Sequence, residues 1–211
     1  MKAVVMLCGS FNPVTKAHIT MAEKSIKYLK NNQVDVEKAI FIPTNDKYPY
    51  KKLQPGIHRS QLIQIACKHS EFAELLELET QDLDHNDFRP TAESIKILKT
   101  KYSNNQLYYA MGIDQLAFMC DVGKWSQENI IQMFENCSFI VFQRTQGLGA
   151  IEDSKVIDIV RNTPHMKLYL DSQILFTNED IGAASSTAVR NGDLEHIWED
   201  VQNYIKAHNL Y

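Results

Sequence analysis

Apolar runs too short to be helices recur along this chain, and each is followed by a turn and then by a stretch with helical spacing. VVMLC within 2–8, KAIFIP at 38–43, QLYYAMG at 106–112 and CSFIVFQR at 137–144 stand out. Because these runs continue without regular polar alternation, both faces of each strand must be covered. From 16 to 31, Met21, Ala22, Ser25, Ile26 and Leu29 share one face while Lys24, Lys27 and Lys30 lie opposite, the period of an amphipathic helix. Further helices are expected at 57–69, 91–101, 113–119, 126–136, 152–161 and 193–208, with a short one after Ser186. FAELLELE (72–79) fits either period and is assigned to a strand because the surrounding pattern alternates; other strands are expected near 167–170 and, briefly, at 174–176.

Strands alternating with helices imply an α/β architecture, a mostly parallel sheet with helices on both faces. At 211 residues the chain is long enough for one well-buried domain and short for two. No internal repeat or low-complexity tract divides it, and the stretch from about 182 to 211 is expected to form a small helical subdomain. In such sheets ligands bind beyond the carboxyl ends of the strands. Gly9–His18, Thr44–Lys52 and Gly112–Asp114 therefore fall along one edge.

Composition narrows the partners. Net charge is −4, so no general basic field invites nucleic acid, although a few local donors suffice for a small anion. No apolar run approaches the roughly 20 residues of a membrane helix. The Met-Lys start leads into a loop and a helix with no small-residue cleavage site, which marks a first strand rather than a secretion signal. Cys8, Cys67, Cys120 and Cys137 are far apart and form no CxxC pair; they are expected to fill core space in a reducing compartment, the cytoplasm. DLDHNDFRPTAE puts Asp82, Asp84, Asn86 and Glu93 in calcium-loop register, but Asp87 stands where the turn needs glycine, and Pro90 follows. A polar rim to a neighbouring pocket is the better use of that segment.

The turn after the first strand, GSFNPVTKAH, carries chemistry. Gly9 allows close backbone approach and Asn12-Pro13 fixes a turn. Amides of the loop and of the following helix's first turn then lack backbone partners, and with the helix dipole they make an anion site. His18 lies in that first turn, and helical side chains lean toward the N-terminus, so its ring leans back over the loop. The bland alternative is that Thr15 caps the helix and His18 is a core histidine. Near the other end, GAASSTAVRNGD sets Ser185, Ser186 and Thr187 at the start of a short helix that Gly192 can end. Ser186 and Arg190 are four apart and share a face, with the guanidinium placed to grip phosphates. Alone, this could be a capped surface helix.

Together the two motifs resemble those of the nicotinate/nicotinamide mononucleotide adenylyltransferases, within the nucleotidyltransferases that carry (H/T)xGH and ISSTxxR signatures. Thr15 and His18 stand at the first and last motif positions, Ala17 replaces the usual glycine, and Ala184 replaces isoleucine. The resemblance implies a Rossmann-like, doubly wound sheet and adenylyl transfer from ATP, with its magnesium, to a pyridine mononucleotide in NAD biosynthesis. It implies ATP contacts from Gly9, Ser10, Phe11, Thr15, His18, Gly112, Asp114, Ser185, Ser186, Thr187 and Arg190, with His18, Lys51 and Arg190 catalytic. MGIDQL resembles the GxDxL segment whose acid, here Asp114, binds the ribose. GKW puts Trp125 at the pyridine-stacking position, RPTAESIKIL puts Thr91 against the pyridine nucleotide, and Ser10 and Asn12 complete that subsite. DKYPYKKLQPGIHR resembles the lysine-bearing loop; Lys47, Lys51 and Lys52 all compete there, and Lys51 fits best. Taken singly, Trp125 as core, Lys51 as solvated charge and Asp114 as a helix cap remain open. Pantetheine-phosphate adenylyltransferases share the end motifs but give Trp125 and Thr91 no role, and an idle nucleotide sensor is the alternative of another class. The partners implied are ATP and the mononucleotide, with no nucleic acid or membrane; a homo-oligomer is compatible, and nicotinate is not distinguished from nicotinamide.

Overall fold

A computed structural model describes residues 2–121, 123–146 and 151–211. Six strands form one sheet in the order β3-β2-β1-β4-β5-β6, and every pair is parallel. They are β1 (Lys2–Gly9), β2 (Asp35–Pro43), β3 (Leu76–Leu78), β4 (Gln106–Gly112), β5 (Ser138–Gln143) and β6 (Ile174–Asp180). Strand order reverses between β1 and β4, which opens the crevice where doubly wound sheets take ligands.

The period of two within the strands builds two cores. Ala3, Val5 and Leu7 of β1, Ala39 and Phe41 of β2, and Ile140 and Phe142 of β5 face one side. There they meet α1 (Lys16–Asn31) and α2 (Gly56–Cys67), together with α8 (Ser186–Arg190) and α9 (Glu199–Ala207). Val4, Met6, Ile40, Tyr109, Phe139 and Val141 face the other side. Their partners are α3 (Thr91–Lys101), α4 (Ile113–Met119), α5 (Gln127–Asn136), α6 (Asp153–Asn162) and α7 (Pro164–Lys167). Two-sided burial explains why the strand sequences read as unbroken apolar runs. Val189, Ile197, Val201 and Ile205, from the stretch expected to be a subdomain, belong to the same core as β1 and α1.

Three local expectations are corrected. Residues 167–170 are not a strand: Pro164 starts α7 and the chain then turns, with Tyr169 stacked on Phe134 at 4.1 Å. The strand expected briefly at 174–176 is present and longer, Ile174–Asp180, launched where Gln173 donates to the Phe134 carbonyl at 2.7 Å. In FAELLELE only Leu76–Leu78 pairs, because Ala73–Leu75 coil into a 3-10 turn. The closing helix begins at Glu199 rather than 193, since Asp193 caps a separate 3-10 turn at Leu194–His196.

Candidate functional site

A cleft of about 830 Å³ opens over the carboxyl ends of β1, β2 and β4. Gly9, Ser10, Phe11, His18, Lys51, Thr91, Gly112, Asp114, Trp125, Ser185, Ser186, Thr187 and Arg190 all line it. Asn12 and Thr15, also expected at the site, do not line it; they are buried behind the loop.

His18 is the third residue of α1, and its ring is held from behind. Nδ1 accepts from the Thr15 backbone N–H at 3.0 Å and lies 2.9 Å from the Thr15 hydroxyl. An accepting Nδ1 leaves the proton on Nε2, which makes the other ring nitrogen a donor. Burial, reinforced by the charges of Arg144 and Lys51, lowers the His18 pKa to about 4, so the ring is neutral at physiological pH. Phe11 sets an edge-on ring 5.1 Å from the imidazole and does so with φ 41°, in the left-handed region. A buried, unbranched aromatic residue there is strained by about 1–3 kcal/mol, a pattern that recurs where geometry serves a ligand.

The closing motif reaches this loop. Ser186 Oγ donates to the Pro13 carbonyl at 2.7 Å, and Arg190 Nη1 donates to the Asn12 carbonyl at 2.6 Å. Arg190 Nη2 also donates to Thr187 Oγ1 at 2.9 Å, while Ser185 Oγ caps α8 by accepting from the Thr187 N–H at 3.2 Å. The three hydroxyls therefore build the motif and dock it on the loop. Of the competing lysines, only Lys51 lines the cleft: Lys47 donates to the Asn86 carbonyl, and Lys52 is exposed outside the lining. Burial and the nearby Arg190 and Arg59 lower the Lys51 pKa.

Of the two glycines that line the cleft at the ends of β1 and β4, only Gly112 has a side chain folded against it. A Cβ on Gly112 would lie 2.4 Å from Asp114 Oδ1, so the missing side chain lets the carboxylate fold back over the strand end. A Cβ on Gly9 would meet the Phe11 ring at an ordinary 3.5 Å, so none of the described residues demands glycine there. Arg144, at the end of β5, also lines the cleft, with Nε 4.0 Å from Asp114 Oδ1; sequence reasoning passed over it. A charged residue ending an apolar strand is the signal that could have found it.

Across the sheet, Thr91 is the first residue of α3 and Trp125 lies in the turn before α5, half-buried against the second core. The 80–90 segment is pinned by its own side chains and by Asn45. Buried Asp82 accepts from Arg89 Nη1 at 2.9 Å and from Ser94 Oγ at 2.7 Å, and Asn45 Nδ2 donates to the Asp82 and His85 carbonyls. Arg89 is thus tied to an acid of its own segment. Tyr48, 5.3 Å from the Phe88 ring, adds an aromatic rim. Among the described residues no group of three His, Cys, Asp or Glu side chains converges to hold a metal ion. The cationic donors beside the loop suit the oxygens of a phosphate chain; a divalent ion bound to such a chain would keep phosphate and water oxygens as its ligands.

The chain matches the family model described as cytidylyltransferase-like over residues 6–192. It is 27% identical over 217 aligned positions to a probable nicotinate-nucleotide adenylyltransferase of Clostridium botulinum, covering 98% of this chain and 97% of the relative. A protein of the same description from a Synechococcus strain is also 27% identical and covers 100% and 97%. Among solved structures, a Plasmodium falciparum nicotinic acid mononucleotide adenylyltransferase complexed with NaAD superposes with a TM-score of 0.74 at 22% identity, covering 100% of this chain and 98% of that one. The same enzyme complexed with APC gives 0.71.

Proposed function

The chain belongs to the cytidylyltransferase-like family, and we propose that within it this protein transfers the adenylyl group of ATP to nicotinate mononucleotide. The full-length relatives named above support the substrate class. The observation that carries the proposal is the junction of Arg190 and Ser186 with the Asn12 and Pro13 carbonyls, beside His18 in one cleft. Two motifs more than 160 residues apart in sequence thereby act on one stretch of phosphates.

In the reaction an oxygen of the mononucleotide's 5′-phosphate attacks the α-phosphorus of ATP. A new P–O–P bond forms, the α–β bridge breaks, and pyrophosphate leaves with its electron pair. The attacking phosphate is already ionised at neutral pH, so no general base is needed. Catalysis rests on aligning two polyanions and stabilising charge on the transferred phosphoryl group. Neutral His18 donates from Nε2 to that group, while Thr15 and Asn12 hold the loop from behind. Lys51, Arg190, Thr187 and the loop amides take the β- and γ-phosphates. Asp114 takes the ribose, and Trp125 and Thr91 receive the pyridine nucleotide. Magnesium bound to ATP supplies further charge neutralisation. The reaction belongs to the cytoplasm; no described helix is long and apolar enough to cross a membrane.

A pyrophosphate-release assay with nicotinate mononucleotide, nicotinamide mononucleotide and phosphopantetheine in parallel tests the proposal. Turnover with a pyridine mononucleotide is expected. Turnover with phosphopantetheine alone would move the chain to another branch, and ATP binding without any release would make it a sensor.

A further inference from the structure

Arg59 has no exposed side-chain surface, although it is an arginine on a helix near the rim of the cleft. Burying a guanidinium is costly unless its donors are met. Here they meet acceptors drawn from two separate loops, one of them gripped at both of its ends. Nε donates to the Gln54 carbonyl at 2.8 Å, Nη1 to the Ser10 carbonyl at 2.8 Å, and Nη2 to the Thr44 carbonyl and Asp46 Oδ1, both at 2.6 Å. Ser10 belongs to the loop after β1, Thr44 and Asp46 follow β2, and Gln54 ends the lysine-bearing loop.

That loop is fastened at both feet. Asp46 Oδ2 accepts from the Gly56 N–H at 2.9 Å, and Asn12 Oδ1 accepts from the Gln54 N–H at 3.0 Å. Lys51 lies between the feet and lines the cleft, while Arg59 lies outside the lining altogether. We propose that Arg59 is a positioning residue: its guanidinium locks the Lys51 loop to the phosphate loop, so that Lys51 meets the transferring phosphates already in place. This rests on the adenylyl-transfer reading above. Its planar fork is what reaches acceptors on three sides; a lysine ammonium, compact and with three donors, cannot bridge them together. The proximity of the guanidinium to Lys51 is also felt as part of the downward push on the lysine's pKa.

The test is a double-mutant cycle with separate kcat and KM values, using Arg59→Lys, Lys51→Ala and the double variant. Arg59→Lys is expected to lower kcat roughly 10-fold or more, with KM for both substrates changing less than about 3-fold. In the Lys51→Ala background the further loss should shrink to within about 3-fold, because the clamp acts through that lysine. An equal loss in both backgrounds, or wild-type kcat in Arg59→Lys, overturns the proposal. If Arg59→Lys does not fold, Asp46→Ala removes one of the four acceptors at an exposed partner; a kcat loss that depends on Lys51 supports the clamp, and no loss overturns it. Amide exchange across 48–54, measured without substrate, should quicken in Arg59→Lys while β1 and β4 stay protected; unchanged exchange in the loop overturns the clamp as well. Wild-type protein without turnover would remove the functional reading, and the exchange measurement would still decide whether Arg59 orders the loop.

Discussion

The two walls of the cleft are built by different means. The wall on the α1 and α8 side is held by side chains donating to backbone carbonyls: Arg59 to Ser10, Arg190 to Asn12, Ser186 to Pro13. The wall on the α3 and α5 side also has its rim segment held by donation to carbonyls, from Asn45 and Lys47, but adds a buried side-chain cluster and apolar burial, with Asp82 joined to Arg89 and Ser94 and with Trp125 on the second core. Donating to the loop's carbonyls takes up the negative ends of its peptide dipoles, so an anion meets mainly positive potential there. A wall of aromatic faces offers shape and stacking instead. On the proposed function, this difference predicts that one wall governs rate and the other governs affinity for the acceptor.

The largest effect should come from His18→Ala. Losing one preorganised donor to the transition state lowers kcat about 10²–10³-fold, with KM for ATP changing far less. Near-normal kcat in steady-state assays would take His18 out of the chemistry and break the assignment of rate to this wall. Arg190→Ala comes next. A charge-assisted bond is worth about 1.5–3 kcal/mol, so kcat/KM should fall roughly 10- to 100-fold. The variant also frees the Asn12 carbonyl, so thermal melting should drop along with activity.

Trp125→Ala tests the opposite wall. Stacking of a base on an aromatic ring contributes about 1–3 kcal/mol, so KM for the mononucleotide should rise about 10-fold while kcat stays within a few-fold. A fall confined to kcat would show that the walls are not divided in this way.

The walls also differ in how far they could be read in advance. The phosphate wall was legible because its residues are local: a turn, a helix start and a capped short helix each leave a compact string in the sequence. Its fastening was not, since Arg59 in IHRSQL carries no mark of burial, and the carbonyls it meets come from the two ends of one loop and from the loop after β1. Thr15 and Asn12, which the resemblance puts at the site, sit in that loop but off the cleft lining, because a motif match gives a residue's place in the chain and not the path of the turn that carries it. Arg144 went unnoticed for a related reason, as only the assembled sheet brings the end of β5 beside Asp114. Strands at the sheet's flanks were harder than those at its centre. β3 pairs over three residues beside one neighbour, and β6 carries polar Thr177, Asn178 and Glu179 where the central strands run apolar.

The smallest expected effect is read in stability and titration rather than in turnover, and sharpens what the first wall does to its histidine. Burial, then Arg144 and Lys51, hold His18 near pKa 4, below the ordinary 6.5. Between those values the unfolded chain binds the proton and the folded chain does not, so stability rises with pH across that window. The contribution is complete above about 6.5 and is lost as acidification proceeds through about 4. Melting temperature should therefore fall less steeply from pH 6.5 to 4 in His18→Gln than in the wild type. Imidazole nitrogen resonances should report an Nε2–H tautomer throughout the neutral range, with a midpoint near 4. Arg144→Gln should raise that midpoint by removing a positive neighbour. A wild-type midpoint near 6.5 would mean that neither burial nor the surrounding cations govern the ring, and the electrostatic character of this wall would have to rest on Arg190 and Lys51 alone.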